Sequence, residues 1–229
     1  MKLKILFILV LASALAPGTV ANRATSASSA FEIHAPERVR SEVHKKPVVR
    51  YRLDASRSRF MVRAFSGGLL WFKGHDHFIA VRDFSGEAQL TPDAVTPASL
   101  QITARADSLV ETRDVFTEQQ KQIINRELRE IVLETAKYPE ITFKSMDVTG
   151  KLVGGQFEAK IGGDLTLHGV TRRIIIPVQV TLSGDTLRAV GEFTVNRGDY
   201  NVHATSAVHG LVRVRKKLKF TFDIVARQI

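Results

Sequence analysis

The 229-residue sequence predicts an all-β fold: an eight-stranded antiparallel barrel with one inserted α-helix at about 114–137. Three observations predict it. Apolar and polar residues alternate along about eight segments, the mark of strands with one buried and one wet face. Short glycine-bearing turns, Gly154-Gly155, His168-Gly169 and Ser183-Gly184-Asp185, separate several of these segments, as antiparallel neighbours require. The period switches once, between Asp114 and Lys137, where Ile124, Leu128, Ile131 and Val132 recur at helical spacing.

The chain opens with Lys2 and Lys4 ahead of an apolar run of about a dozen residues, which is signal-peptide length and too short to span a bilayer. Thr19-Val20-Ala21 reads as a cleavage site, so residues 1–21 are expected to be a leader and the protein to be periplasmic or secreted. Residues 22–48, rich in Ala, Ser, Arg, Lys and Glu without a sustained period, read as a flexible linker, leaving 49–229 as one barrel domain. The sequence has no cysteine, which excludes disulfides, thiolate metal sites and a lipid-anchored cysteine.

The first strand has a defect. Tyr51, Leu53 and Ala55 occupy odd positions, whereas Phe60, Val62 and Ala64 occupy even ones. A bulge at Ala55–Ser58 accounts for the switch. Phe84, Gly86, Ala88 and Leu90 share a face of the second strand, and Leu100, Ile102, Ala104 and Ala106 a face of the third. The helix follows, with an Arg126–Glu130 pair one turn apart, and Tyr138-Pro139 ends it. Its apolar stripe suits a structural lid across the end or side of the sheet. Strands resume at Ile141–Ser145, Val153–Ile161, Ile174–Leu182 and the run ending Phe193–Val195. In the last strand Val212, Val214, Leu218, Phe220, Phe222 and Ile224 oppose Arg213, Arg215, Lys217, Lys219 and Asp223. Lys216 interrupts the apolar face, marking either a bulge or the head of a ligand site.

Five motifs in order resemble the YceI-like family: Tyr51–Phe60, Phe84-Ser85-Gly86, Ala106–Asp114, Tyr138–Ser145, and Leu165–Val180 with Asn196-Arg197-Gly198-Asp199-Tyr200. The resemblance covers roughly residues 50–228. It implies a lipocalin-like barrel that binds a polyisoprenoid chain in its lumen as a periplasmic carrier or buffer, with no catalytic residues and no required cofactor beyond a bound isoprenoid quinone or prenyl chain. The inward faces read above supply a candidate lumen of Phe60, Val62, Ile102, Phe143, Ile161, Ile176, Val178, Phe193, Phe220 and Phe222. Periodicity alone leaves open whether these side chains enclose a ligand tube or fill a solid, purely structural barrel. The resemblance favours the tube.

The segment Trp71–Phe78, reading Trp-Phe-Lys-Gly-His-Asp-His-Phe, departs from the commonest family pattern. In an extended chain His75 and His77 point the same way, a spacing that suits one metal ion, with Asp76 opposite. His168, His203 and His209 lie near predicted turns and would complete an open zinc or copper site if the turns converged. A metal-binding protein or metal-dependent hydrolase is therefore the alternative from another class. No glutamate stands near the pair in sequence to act as base. There is also no Gly-x-Ser-x-Gly elbow and no phosphate loop. Asn196–Asp199 reads as a turn held by an Arg–Asp pair, or else as a polar ligand clamp.

The formal net charge is +10, falling to +8 if the leader carrying Lys2 and Lys4 is removed. Such an excess favours anionic partners. Export and the lack of an aromatic–basic platform argue against nucleic acid. The expected partners are an apolar lipid and, transiently, a membrane surface met by Arg213, Arg215, Lys217 and Lys219. A homodimer is left open.

Overall fold

The computed structural model describes residues 47–70, 72, 74–205 and 213–229. The expected leader, nearly all of the expected linker, and His209 lie outside them. Among the described residues, ten strand segments form one sheet: β1 (Val49–Gly67), β2 (His77–Val81), β3 (Phe84–Leu90), β4 (Ala98–Arg105), β5 (Leu109–Glu111), β6 (Glu140–Val153), β7 (Gln156–Leu167), β8 (Val170–Ser183), β9 (Thr186–Asn196) and β10 (Arg213–Gln228). Every pairing between them is antiparallel. β10 pairs with β1 and closes the sheet.

β2 and β3 both pair with β1, at opposite ends of it. β5 pairs with β2 and β4 with β3. β2 with β3, and β4 with β5, are thus each a single barrel stave broken in the middle, the second by a 3-10 turn at Ala106–Ser108. The ring therefore has eight staves, as the alternation predicts. The two short segments β2 and β5 were not expected from the sequence, because His77–Val81 shows no clean alternation: Ile79, Ala80 and Val81 are all buried.

Two bulges on the β1–β10 seam keep apolar residues inward. β1 inserts Ala55–Ser58 opposite the single residue Ile224. Local polar groups satisfy the inserted backbone. The Asp54 carboxylate accepts from the Ser56 N–H at 3.1 Å and the Ser56 hydroxyl at 2.6 Å. The Ser58 hydroxyl accepts the Val225 N–H at 2.9 Å, replacing the lost ladder bond. On the other strand, Arg215-Lys216-Lys217 stands opposite Phe65 alone. Lys216 is exposed, so its interruption of the pattern marks a bulge.

The helix is shorter than the periodicity predicts. α1 spans Glu118–Glu127, and Thr117 and Gln120 form a reciprocal capping box at its start. Leu128–Val132 then makes a single wider π turn, and Glu134 takes a left-handed conformation (φ 44°) that ends the coil before Lys137. The wider turn rotates Ile131 outward, to 57% exposure, while Leu128 and Val132 stay against the barrel core. The ion pair on the helix is Lys121–Glu118 at 3.0 Å, not Arg126–Glu130.

Inside the ring, Phe60, Phe84, Phe193, Phe220 and Phe222 form an aromatic cluster. Phe193 stacks on Phe220 at 4.8 Å, and Phe60 meets Phe84 edge-on at 6.0 Å. Gly191 of β9 makes the space for one of these rings. A Cβ there would lie 2.6 Å from the Phe222 ring and would also strike the Pro177 carbonyl. Gly191→Val is accordingly expected to lower stability by about 1–3 kcal/mol through overpacking. Urea unfolding of the two proteins checks this, and an unchanged midpoint contradicts it.

Candidate functional site

The barrel encloses an apolar cavity of about 320 Å³. Phe60, Ile102, Ile161, Phe193, Phe220 and Phe222 point into a closed ring yet are only partly buried, because the side chains do not meet across the middle. Val62, Phe143, Ile176 and Val178 are buried against the wall. All ten lumen residues expected from the alternation line this one cavity. A cavity of this size in an eight-stranded barrel suits one slim ligand.

The lining also includes residues the sequence reading missed. Ile124, Leu128 and Val132 come from α1 and its π turn, so the helix stripe forms part of the cavity wall as well as a cover. Ala94 and Val95 come from the β3–β4 loop. The polar exceptions include His77, Glu127, Arg197 and Thr205. Helical periodicity gave a signal for the first group. No pattern signals the others, which are single residues brought in by loops and strand ends.

His77 sits where β2 pairs with Ala64 of β1, and Ala64 lines the cavity beside it. Its Nδ1 lies 2.8 Å from Oε2 of Glu111, whose side chain has no exposed surface. The other oxygen of Glu111 accepts the backbone N–H groups of Phe78, Thr112 and Arg113 at 3.2, 3.0 and 2.9 Å. Burial pushes the Glu111 carboxyl up, but the bonds from His77, Arg113 and Phe78 outweigh it and hold the group below the ordinary glutamate value. The carboxylate is thus ionised at neutral pH and can only accept, so His77 carries its proton on Nδ1. Glu111 is not legible as a partner of this cluster from the sequence alone, because it is 34 residues away and arrives through the β2–β5 pairing.

Phe116 packs face to face on His77, with centroids 5.4 Å apart, and edge-on against His75 at 5.7 Å. Asp76 turns away, accepting from Arg63 at 2.7 Å and from the Ser66 N–H at 2.9 Å. His75 is exposed. His168 does not join them. It is buried, with Nε2 2.7 Å from Glu134 and its ring 4.3 Å from Tyr138. His203 is exposed. Among the described residues, no three His, Asp or Glu side chains are grouped to hold a metal ion. The Asn196–Asp199 turn is present as a 3-10 turn, but no Arg–Asp pair holds it. Arg197 instead donates to the carbonyls of Val202, Val214 and Arg215 at 2.8, 3.2 and 3.3 Å, fastening the end of β9 to the start of β10.

The YceI-like domain profile matches residues 51–226. The chain belongs to this family. A UPF0312 protein of Pseudomonas fluorescens is 35% identical over 89 residues, 37% of this chain and 41% of that relative. One of Pseudomonas syringae pv. tomato is 35% identical over 96 residues, 41% of this chain and 43% of its own length. The chain thus spans less than half the length of these curated relatives. Among solved structures, Burkholderia cenocepacia BcnA superposes with a TM-score of 0.60 at 19% identity, covering 76% of this chain and 98% of BcnA. A polyisoprenoid binding domain from Saccharophagus degradans gives a TM-score of 0.58 at 18% identity, over 79% of this chain and 99% of that domain. At these identities the likeness establishes a shared YceI-like barrel.

The depressed Glu111 carboxyl has a consequence for stability. Its contribution is complete above the ordinary carboxylate range and is lost as pH falls through that range toward the lower folded-state value. Glu111→Gln is therefore expected to cost about 1–3 kcal/mol at neutral pH. The gap from wild type should narrow as pH falls below the ordinary carboxylate range and Glu111 itself becomes neutralised. Denaturant melts across pH measure it. A gap that is constant or widens in acid contradicts the assignment.

Proposed function

We propose that this protein is an exported, non-catalytic carrier or buffer that holds a polyisoprenoid or similar long apolar lipid inside its barrel. The observation that carries the reading is the cavity of about 320 Å³, walled by the inward phenylalanines and aliphatic residues of all eight staves and by the α1 stripe. That space also tells against a solid, purely structural core. The polyisoprenoid-binding neighbour supports the same ligand class. Export to the periplasm or beyond rests on the leader-like first 21 residues. No cofactor is required beyond the lipid itself, an isoprenoid quinone or prenyl chain.

Energetics favour exchange over capture. Each CH₂ taken from water contributes about 0.8 kcal/mol. A forty-carbon chain would then nominally exceed the practical affinity ceiling of roughly 20 kcal/mol. The ligand comes from a bilayer, however, where it is already out of water, so transfer into the barrel is nearly balanced. Fit and headgroup contacts then decide occupancy. The exposed cations Arg213, Arg215 and Lys217 would favour brief contact with an anionic membrane by about 1 kcal/mol each. Lys219 contributes less, because it is paired with Glu192 at 2.8 Å.

Native mass spectrometry of the mature protein, purified gently from its own envelope and then extracted with organic solvent, tests the reading. An added mass that extracts as a prenyl lipid is expected. A bare protein that stays bare after incubation with isoprenoid quinones and prenyl alcohols overturns it. Ile161→Trp, which puts an indole into the lumen, should reduce lipid occupancy at least about tenfold while the β-sheet circular dichroism is kept. Full occupancy in this variant would place the ligand elsewhere.

A further inference from the structure

We infer that His77, aimed by the buried Glu111, is the contact that fixes the headgroup of the bound lipid, and that the preferred head is a neutral hydrogen-bond donor such as a prenyl alcohol or phenol. This rests on the lumenal lipid reading and deepens it.

The cavity is otherwise almost wholly apolar, so the few polar groups in its wall decide which way an amphiphilic chain lies. His77 is suited to that role. Glu111 accepts the Nδ1–H hydrogen bond at 2.8 Å, which fixes the tautomer of the neutral imidazole and leaves its Nε2 lone pair as an acceptor. Among the described residues Nε2 has no hydrogen-bond partner; it is not buried, and the side chain keeps 27% of its surface accessible. Phe116 covers one face of the ring and holds its plane. The arrangement is a pre-oriented acceptor beside an apolar tube, and a pre-oriented acceptor binds without the entropy cost of ordering a free side chain.

The charges around it select the class of head. The Glu111 carboxylate lies directly behind the imidazole, and Glu127 places a second carboxylate on the cavity wall, where it accepts from Thr205 at 3.3 Å. Arg197, the cation on the cavity wall among the described residues, has its Nε and both terminal nitrogens committed to backbone carbonyls. A phosphate head would meet two negative groups and an arginine already occupied. A hydroxyl would give its proton to Nε2 and bring no charge.

The test uses three probes with one twenty-carbon prenyl chain: the alcohol, its methyl ether and its monophosphate. Dissociation constants are measured for the wild type and His77→Leu. In this variant Glu111 keeps its three backbone donors. The wild type should bind the alcohol roughly three- to tenfold more tightly than the ether, the equivalent of one net hydrogen bond. His77→Leu should bind alcohol and ether equally, with the ether affinity unchanged. Equal wild-type affinity for alcohol and ether overturns the headgroup role and leaves the carrier reading standing. A preference for alcohol that persists in His77→Leu also overturns it. Tighter binding of the phosphate overturns the neutral class and turns attention to Arg197. Failure of all three probes to bind overturns the lipid reading itself. The wild-type comparison stands whether or not the variant folds.

Discussion

The pairing of β1 with β10 closes the sheet, and the rest of the structure depends on that seam. An open sheet with one apolar face would need a second layer to cover it. A closed one turns the face inward and leaves no edge to pair with another chain. Among the described residues the seam carries two of the three register shifts of the barrel, the Ala55–Ser58 insertion and the Arg215–Lys217 insertion, the third lying at Met146 between β6 and β7. Neither seam insertion is a flaw in the pattern. Without the first, Phe60, Val62 and Ala64 would point to solvent, because a shift of one residue exchanges the two faces of a strand. Asp54 and Ser58 make that insertion tolerable by taking up the backbone groups it leaves behind.

Closure also sets the chemistry of the interior. Eight staves leave a space about as wide as the side chains that fill it, so small differences decide between a solid core and a tube. Here several rings are drawn together on the β9–β10 side, Phe193 on Phe220 with Phe222 seated at Gly191, and the space they leave is lined with aliphatic residues. The helix finishes the enclosure. Its Asn125 side chain accepts the Glu111 N–H at 2.7 Å, tying the cover to the strand that carries the buried carboxylate. Cover, carboxylate and lumenal histidine are thus one connected unit, which is why a polar contact can sit beside an apolar tube without being lost to water.

Much of this was legible in the sequence, and what was not has physical reasons. β8 and β10 alternate over long stretches because one face meets the lumen and the other meets water, so their inward residues could be named directly. The β1 bulge was legible because it changes the phase of that alternation. β2 and β5 were not, since Ile79, Ala80 and Val81 are buried in succession and three residues of β5 carry no period. The helix ends were overextended because periodicity cannot see a capping box at Thr117 or a left-handed Glu134. The histidine pair was visible as a motif, but its partner was not. Only the β2–β5 pairing brings Glu111 to His77, and that contact makes the motif a fixed hydrogen-bonding group. Ile131, predicted inward and found 57% exposed, shows the same limit from the other side: one π turn undoes the register of a helical stripe.

Intermolecular nuclear Overhauser effects measure whether a lipid chain lies inside the ring. With methyl-labelled protein and an unlabelled prenyl alcohol, contacts are predicted from the chain to the methyls of Ile102, Ile161, Ile176 and Val178, and none to Ile175, which neighbours Ile176 in sequence but is 64% exposed on the outside. Contacts to Ile175 or Val190 with silence from the lumenal methyls would contradict the account, placing the lipid on the outer wall of the barrel.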